Sequence, residues 1–252
     1  MSVIIPGVVA LPLYIEDSTK FSVESTGSQS LRVQISGTDS SAVIDWGDGN
    51  AETIGIGTVS HTYSSPGAYN GSVTRNLLGN RDLRLYGNAL KAVSKIQNGL
   101  WSLRLSHDVS TSPNLTNVPV EIPSSISDLS RCFWGCFALQ DTNLSGWDVS
   151  NVTNMESMFY LSSFNQDIGS WDVSNVTNMF AMLAAGSFNQ DIGSWDVSNV
   201  INMGFMFYSN TDFNQDLSSW CVSNFPSEPS NFSTGATAWV LPKPIWGTCP
   251  GA

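Results

Sequence analysis

Carboxylates recur at a fixed place in the C-terminal half of the chain, directly after a tryptophan. A serine follows each two residues later, which gives the pairs Asp148 with Ser150, Asp172 with Ser174 and Asp196 with Ser198. If the segments that contain these pairs stack on one another, their outward residues line one face. Carboxylates on that face would bind Ca²⁺ or the hydroxyls of a carbohydrate. The alternative is a purely structural role, in which each Asp bonds to the backbone or a hydroxyl of a neighbouring coil of the stack. In either case a hydrogen-bond donor or a cation must offset the repulsion between carboxylates in register.

Motifs of enzymes are missing from the sequence. The two histidines are His61 and His107, and neither lies in a nucleophile or metalloprotease motif. The oxygen-rich run of residues 45–52 has Asp-Gly at its centre and predicts a hairpin turn rather than a calcium site. We therefore predict no catalytic residue, assign no metal ligand and expect no cofactor, with Ca²⁺ as the one ion that the acidic face would suit.

The cysteines fall into a close pair and a distant pair. Cys132 and Cys136 have no second close pair or nearby histidine to complete a zinc site, and they are expected to be small buried residues on one helical face. Cys221 and Cys249 are candidates for a disulfide that closes the C-terminal tail in an oxidising environment.

The composition limits the class of protein. The chain has 252 residues, of which 41% are hydrophobic and 12% charged, with a formal net charge of −11. The apolar share is too large for a disordered tail, and the negative charge excludes nucleic acid as a partner. Residues 1–131 have nine basic and eleven acidic residues (net −2), whereas residues 132–252 have one basic and ten acidic residues (net −9). This asymmetry predicts two units of different construction.

Near-identical repeats occupy the acidic half. Units that read WDVSNVTNM, then a variable segment, then FNQDI or a close variant begin at Trp147, Trp171 and Trp195, and a shortened copy begins at Trp220. These tryptophans are 24, 24 and 25 residues apart, and a period of about 20–29 residues is typical of leucine-rich-repeat solenoids. Stacking such units aligns their tryptophans, valines, methionines and phenylalanines into one core.

Each unit predicts a short strand and a short helix. The strand is expected at residues 171–173, and the helix is expected to begin at Thr153 as N-cap, with Glu156 completing a capping box, and to run through Phe159. The recurring asparagines Asn165, Asn189 and Asn214 are expected to satisfy turn backbones. The predicted fold class is mainly β with short helices.

The unit SWDVSNVTNM…MF…FNQDI resembles the BspA-like leucine-rich repeats of bacterial surface proteins. The resemblance is specific over residues 129–225 and looser over about 81–128, and residues 220–250 look like the cap that ends such arrays. It implies a (β/α) solenoid and a secreted or cell-surface adhesin that binds host proteins or surfaces.

Residues 18–80 show alternating hydrophobicity without a helical period. The run WGDG at residues 46–49, followed by HTY and PGAY, resembles PKD-type domains. This resemblance implies an Ig-like β-sandwich that serves as an extracellular spacer or binding module, with Trp46 and Tyr63 in its core.

The first residues are apolar but do not resemble a signal peptide or a membrane span. No basic residue precedes Lys20, and Pro6, Gly7 and Pro12 interrupt the apolar run. Residues 1–17 are either a first strand or an apolar arm that docks onto a partner. The predicted organisation is an arm at 1–17, a PKD-like sandwich at 18–80 and a repeat solenoid with its cap at 81–252.

These observations favour a non-enzymatic structural or adhesion protein displayed on a surface. The setting that we predict is a bacteriophage virion, as a head-decoration, tail or appendage protein in an oligomeric assembly. The N-terminal region would contact assembly proteins, and the solenoid would contact a cell-surface protein or glycan, without membrane insertion. The alternatives are a secreted bacterial cell-surface adhesin and, more remotely, a polysaccharide-acting enzyme, which would need two unlike carboxylates rather than a row of identical ones.

Overall fold

The computed structural model describes residues 18–26, 29–36, 42–75, 82–86, 90–95, 102–105 and 114–250. These residues form strands and turns, and none of them is helical. The mainly β class is thus confirmed, whereas the predicted short helices do not occur in the described residues. The strands are β1 (Ser18–Thr26), β2 (Gln29–Ser36), β3 (Ala42–Asp45), β4 (Ala51–Ile54), β5 (Gly57–Tyr63), β6 (Pro66–Arg75), β7 (Asp82–Tyr86), β8 (Leu90–Lys95) and β9 (Ser102–Arg104).

Two sheets are built from these strands. One has five strands in the order β4-β3-β6-β1-β8, and the other has four in the order β5-β2-β7-β9. All pairs are antiparallel except β7 with β9, which is parallel. Alternate residues of β2 are buried because successive side chains point to opposite faces, and both sheets contribute to one apolar core.

Trp46 and Tyr63 lie in this core, as the sequence predicts. Each is 1% exposed, and the Tyr63 hydroxyl donates to the Trp46 carbonyl oxygen at 3.1 Å. This bond fixes the loop after β3 against β5. The WGDG turn is thus held by Trp46 and Tyr63, two residues of the motif itself.

The repeats continue the edges of the two sheets. The amide of Val93 in β8 donates to the carbonyl of Asn117 at 3.0 Å, and that of Leu103 in β9 donates to Asp128 at 3.2 Å. Strands β7 and β8, which lie beyond residue 80, pair with β2 and β1. The boundary predicted at residue 80 therefore does not coincide with a break in hydrogen bonding. Residues 1–17 and His107 lie outside the described residues.

The repeats stack through a segment of consecutive turns, which we call the turn segment. We number the repeats 1 (121–146), 2 (147–170), 3 (171–194) and 4 (195–219), with turn segments at 129–135, 155–161, 179–185 and 203–209. In repeat 2, alternate amides donate to repeat 3: Met155 to Asn178, Ser157 to Phe180, Phe159 to Met182 and Leu161 to Ala184, at 2.8–3.0 Å. Of the intervening amides, those of Met158 and Tyr160 bond three residues back within their own repeat at 3.2 Å, and that of Glu156 donates to the Asn154 side-chain oxygen at 3.1 Å.

The helix predicted from Thr153 through Phe159 is wrong because three of its seven amides, those of Met155, Ser157 and Phe159, donate to the next repeat. The Thr153 amide and hydroxyl both bond to the Ser127 carbonyl of repeat 1, and Glu156 pairs with Arg131. The two residues of the predicted capping box thus contact other repeats and do not cap a helix. The same finding corrects the expectation for Cys132 and Cys136: both are buried as predicted, but Cys132 lies in a turn segment and Cys136 directly after it, and neither is on a helical face.

The strand predicted at residues 171–173 is wrong as well, although its burial pattern is right. Trp171 and Val173 are buried and Asp172 is exposed, but the parallel bridges between repeats join Asp128, Asn154, Asn178 and Asn202 instead. The tryptophan links repeats through its side chain, because the Trp171 indole N–H donates to the Leu144 carbonyl at 3.1 Å. Equivalent bonds run from Trp147 to Pro119, from Trp195 to Ile168 and from Trp220 to Ile192.

Asparagines and a disulfide complete the stack. The Asn165 side-chain oxygen accepts from the Asn189 amide at 2.8 Å, and Asn189 repeats this with Asn214, so the asparagines satisfy turn backbones of the following repeat. Cys221 and Cys249 form a disulfide in the closing segment, residues 220–250. Among the described residues there is no helix of the length and apolarity that a membrane crossing requires.

Candidate functional site

The predicted row of Asp and Ser residues forms a series of local turns. The Asp148 carboxylate accepts from the Ser150 amide at 3.1 Å and hydroxyl at 2.6 Å, and Asp172 repeats this with Ser174 at 3.0 and 2.6 Å. The bonds from the serine hydroxyl and then its amide lower the pKa of both carboxyls. Asp196 accepts the Ser198 amide at 3.0 Å.

These carboxylates therefore bond within their own turn, and not to a neighbouring coil as the structural alternative supposed. No group of three or more His, Cys, Asp or Glu side chains that would hold a metal ion occurs in the described residues. Calcium binding at this face stays a prediction without a ligand cluster to support it.

The oxygen-rich run after β3 is a hydrogen-bonded hairpin turn. Asp48 accepts from the Asn50 amide at 3.1 Å and contacts His61 Nε2 at 2.6 Å, while Glu52 accepts from the Trp46 indole at 2.9 Å. Burial raises the Asp48 pKa, but the bonds from His61 and Asn50 outweigh it and lower the pKa overall. With its ring stacked on Trp46 at 4.9 Å, His61 holds the turn in place.

An aromatic groove crosses the turn segments of the repeats. Its volume is about 340 Å³. Small side chains, Ser157, Ala181 and Ala184, lie among aromatic ones. The aromatic side chains of the lining are Trp134, Tyr160, Phe180, Phe205 and Tyr208. Two charged residues, Arg131 and Glu156, complete the lining.

The groove exists because one repeat carries alanine where its neighbours carry tyrosine. The backbone ladder aligns Trp134, Tyr160, Ala184 and Tyr208, the sixth residues of the four turn segments, into what we call the stacking row. Ala184 is 0% exposed, whereas Tyr160 and Tyr208 on either side are half-buried and extend past it. The missing ring in repeat 3 leaves a gap between two tyrosines.

A second row, the third residues of the turn segments, borders the same gap. This outer row consists of Arg131, Ser157, Ala181 and Phe205, all with φ between 52° and 60°. The left-handed region is costly for residues with a β-carbon, by about 1–2 kcal/mol. Phe205 holds a bulky ring there, 5.4 Å from Phe180 and 5.4 Å from Tyr208. The same conformation recurs at Leu161, Ala185 and Ser209, so it is a regular feature of the turn segments.

One end of the groove is ionic. The Arg131 guanidinium lies 3.0 Å from Glu156 Oε1 and 5.5 Å from the centre of the Trp134 ring. Glu156 Oε2 also accepts from the Asn178 amide group at 3.3 Å. The Tyr160 and Tyr208 hydroxyls make no hydrogen bond within the described residues, so the groove combines apolar ring faces with polar groups available to a ligand.

The sequence analysis missed this groove. Its signal was the variable segment inside otherwise identical repeats, where SMFY of repeat 2 becomes AMLA in repeat 3 and FMFY in repeat 4. The third position of these runs (Phe159, Leu183, Phe207) belongs to the core, whereas the differences at the first and last positions shape the groove.

Comparison with known proteins gives one match. The family model described as Mycoplasma protein of unknown function, DUF285, matches residues 127–239. Comparisons with curated proteins and with solved structures gave no match. The matched residues contain all of the groove, so this part of the chain is similar to that family.

Proposed function

We propose that the chain is a non-enzymatic adhesion protein that binds its ligand in the aromatic groove. The observation that carries the proposal is the gap over Ala184, bounded by Tyr160 and Tyr208. Ligand sites are concave, mostly apolar and supplied with a few polar groups, and Trp, Tyr and Arg are enriched among residues that dominate binding energy. The groove has this composition.

We assign the fold to a PKD-like β-sandwich that leads into a leucine-rich-repeat solenoid. The two sheets with one shared core, and the burial of Trp46 and Tyr63, support the first part. Parallel bridges that recur from Asn154 to Asn178 to Asn202 support the second, because solenoid repeats contact mainly their neighbours.

A surface location accounts for the disulfide. Bonds such as that between Cys221 and Cys249 persist on cell surfaces, on virions and in secreted proteins. Bacteriophage virion and secreted bacterial adhesin both fit this condition, and the virion location and the docking of residues 1–17 stay predictions. The groove does not favour the enzymatic alternative, because Glu156 is the single carboxylate among the groove residues and glycoside hydrolysis normally uses two.

The test is a binding screen with a variant that closes the groove. The full chain is screened against an array of defined oligosaccharides and an array of synthetic peptides. Every ligand found is then measured with Ala184→Tyr, which restores the residue of the adjacent repeats. The matched control is Ala238→Tyr, which adds the same side chain at an exposed alanine of the closing segment.

We expect ligands that bind the unmodified chain and Ala238→Tyr equally and bind Ala184→Tyr at least tenfold more weakly. Circular dichroism and thermal unfolding establish that Ala184→Tyr is folded. Ligands that bind Ala184→Tyr as tightly as the unmodified chain would place binding elsewhere and refute the proposal, as would the failure of both arrays to give any ligand.

A further inference from the structure

The outer row of the groove shows which kind of group belongs in the gap. In repeat 1, Arg131 covers the Trp134 ring, with its guanidinium carbon 5.5 Å from the ring centre. In repeat 4, Phe205 takes the equivalent place beside Tyr208, with ring centres 5.4 Å apart. In repeat 2 the equivalent residue is Ser157, which is too short to cover Tyr160. A flat group supplied by a ligand would complete the row.

The cations of the repeat region indicate the chemistry of that group. Arg131 and Lys243 are the two basic residues between 114 and 250. Arg131 stacks on Trp134, and the Lys243 ammonium lies 5.2 Å from the centre of the Trp239 ring. Both of the chain's own cations here thus lie on aromatic rings, an arrangement stabilised by attraction to the ring face.

The two ionised side chains of the groove, Arg131 and Glu156, cancel each other, and the acidic surface around them favours a cation over an anionic group. Residues 132–252 have ten acidic residues and one basic residue, a net charge of −9. A field of one sign raises the local concentration of oppositely charged ligands. Within the groove, the Glu156 carboxylate lies between repeats 1 and 3, where it bonds to both Arg131 and Asn178, and a carboxylate accepts more bonds than these.

We propose that the groove binds an arginine side chain from a basic segment of a partner protein. The guanidinium stacks on Tyr160 within the gap above Ala184, and its N–H groups reach the Glu156 carboxylate. Arginine suits this place better than lysine because its planar guanidinium stacks on aromatic faces and binds carboxylates with several donors. The inference rests on the proposed function, since it names the ligand class of the same groove.

The probes are three peptides with acetylated and amidated ends, made of six Gly-Arg, six Gly-Lys or six Gly-citrulline units. Citrulline keeps the shape of arginine without its charge, and the lysine peptide measures attraction to the acidic surface as a whole. Titration calorimetry with the full chain is expected to give the tightest binding for the arginine peptide. The citrulline peptide should bind about tenfold more weakly, and Tyr160→Leu should lower affinity for the arginine peptide by a factor of about five to ten.

Variants separate the groove from the surface. Ala184→Tyr should reduce arginine-peptide binding to the level of the lysine peptide, and Ala238→Tyr should leave it unchanged. Equal binding of the arginine and citrulline peptides, or of the arginine and lysine peptides, would overturn the inference. So would arginine-peptide binding that Ala184→Tyr leaves intact. If a neutral array ligand is lost in Ala184→Tyr while the arginine peptide does not bind, the proposed function stands and the arginine inference fails.

Discussion

The substitution Ala185→Gly should stabilise this protein, although the same change inside a helix destabilises one. Ala185 ends the turn segment of repeat 3 with φ at 53°. The left-handed region costs a residue with a β-carbon about 1–2 kcal/mol, and glycine avoids this cost. Glycine's greater freedom in the unfolded chain takes back about 0.4–1 kcal/mol. The Ala185 amide still donates to the Tyr208 carbonyl after the change, so the net gain in unfolding free energy is about 0–1.6 kcal/mol, centred on about 0.8 kcal/mol.

The assay is equilibrium urea unfolding followed by tryptophan fluorescence, with the slope against urea compared between variants. Ala184→Gly is the matched control, because Ala184 is the preceding alanine, is fully buried and has no positive φ. It should lose about 1–2 kcal/mol, because glycine's greater freedom costs about 0.5–1 kcal/mol and the buried methyl group contributes about 0.8 kcal/mol. If Ala185→Gly loses as much stability as Ala184→Gly, the turn segment does not use the left-handed conformation, and the reasoning is refuted.

Other parts of the stack can be tested in the same way. Trp171→Phe removes the indole donor to the Leu144 carbonyl of repeat 1 and should lower the unfolding free energy by about 1–3 kcal/mol, measured in urea, because the buried carbonyl loses its partner. Ser174→Ala should raise the pKa of Asp172 towards its ordinary value, as read from the carboxyl carbon shift in an NMR titration. Since the pKa in the folded state is lowered, ionised Asp172 stabilises the fold above the unfolded pKa, and this contribution is lost as the pH falls through the folded pKa. Cys221→Ser opens the loop that Cys249 closes and should lower the unfolding free energy by about 3–4 kcal/mol by chain entropy, an effect that a reducing agent should reproduce in the unmodified chain.

The buried core of the repeats could be predicted from the sequence, because its residues recur at a fixed spacing. Trp171, Val173 and Met179 are each no more than 5% exposed, while Asp172 between the first two is exposed. The repeat places these residues at the same offsets in every copy, so a stack is the one arrangement that buries all of them at once.

The local structure could not be predicted in the same way because its hydrogen bonds are not local. Thr153 and Glu156 match a capping box, a pattern defined by contacts within four residues. In the stack, the partners of these two residues lie about one repeat away, at Ser127 and Arg131. A rule that considers only residues close in sequence does not include hydrogen bonds to other repeats. These bonds compete with the helix, and tertiary context overrides local propensity here.

The groove depends on the continuity of the stack. Tyr160 and Tyr208 form the walls of the groove only if the repeat between them keeps them at a fixed spacing. Each turn segment is held on both sides by hydrogen bonds from alternate amides, which provides that spacing. Strand β9 holds repeat 1, strand β8 holds the residues just before it, and the disulfide closes the last segment. Both ends of the array are thus fastened, and a site held by its scaffold pays little ordering entropy on binding. The gap over Ala184 lies between repeats 2 and 4, away from either end, where a side chain missing from one repeat produces a defined cavity rather than a frayed edge.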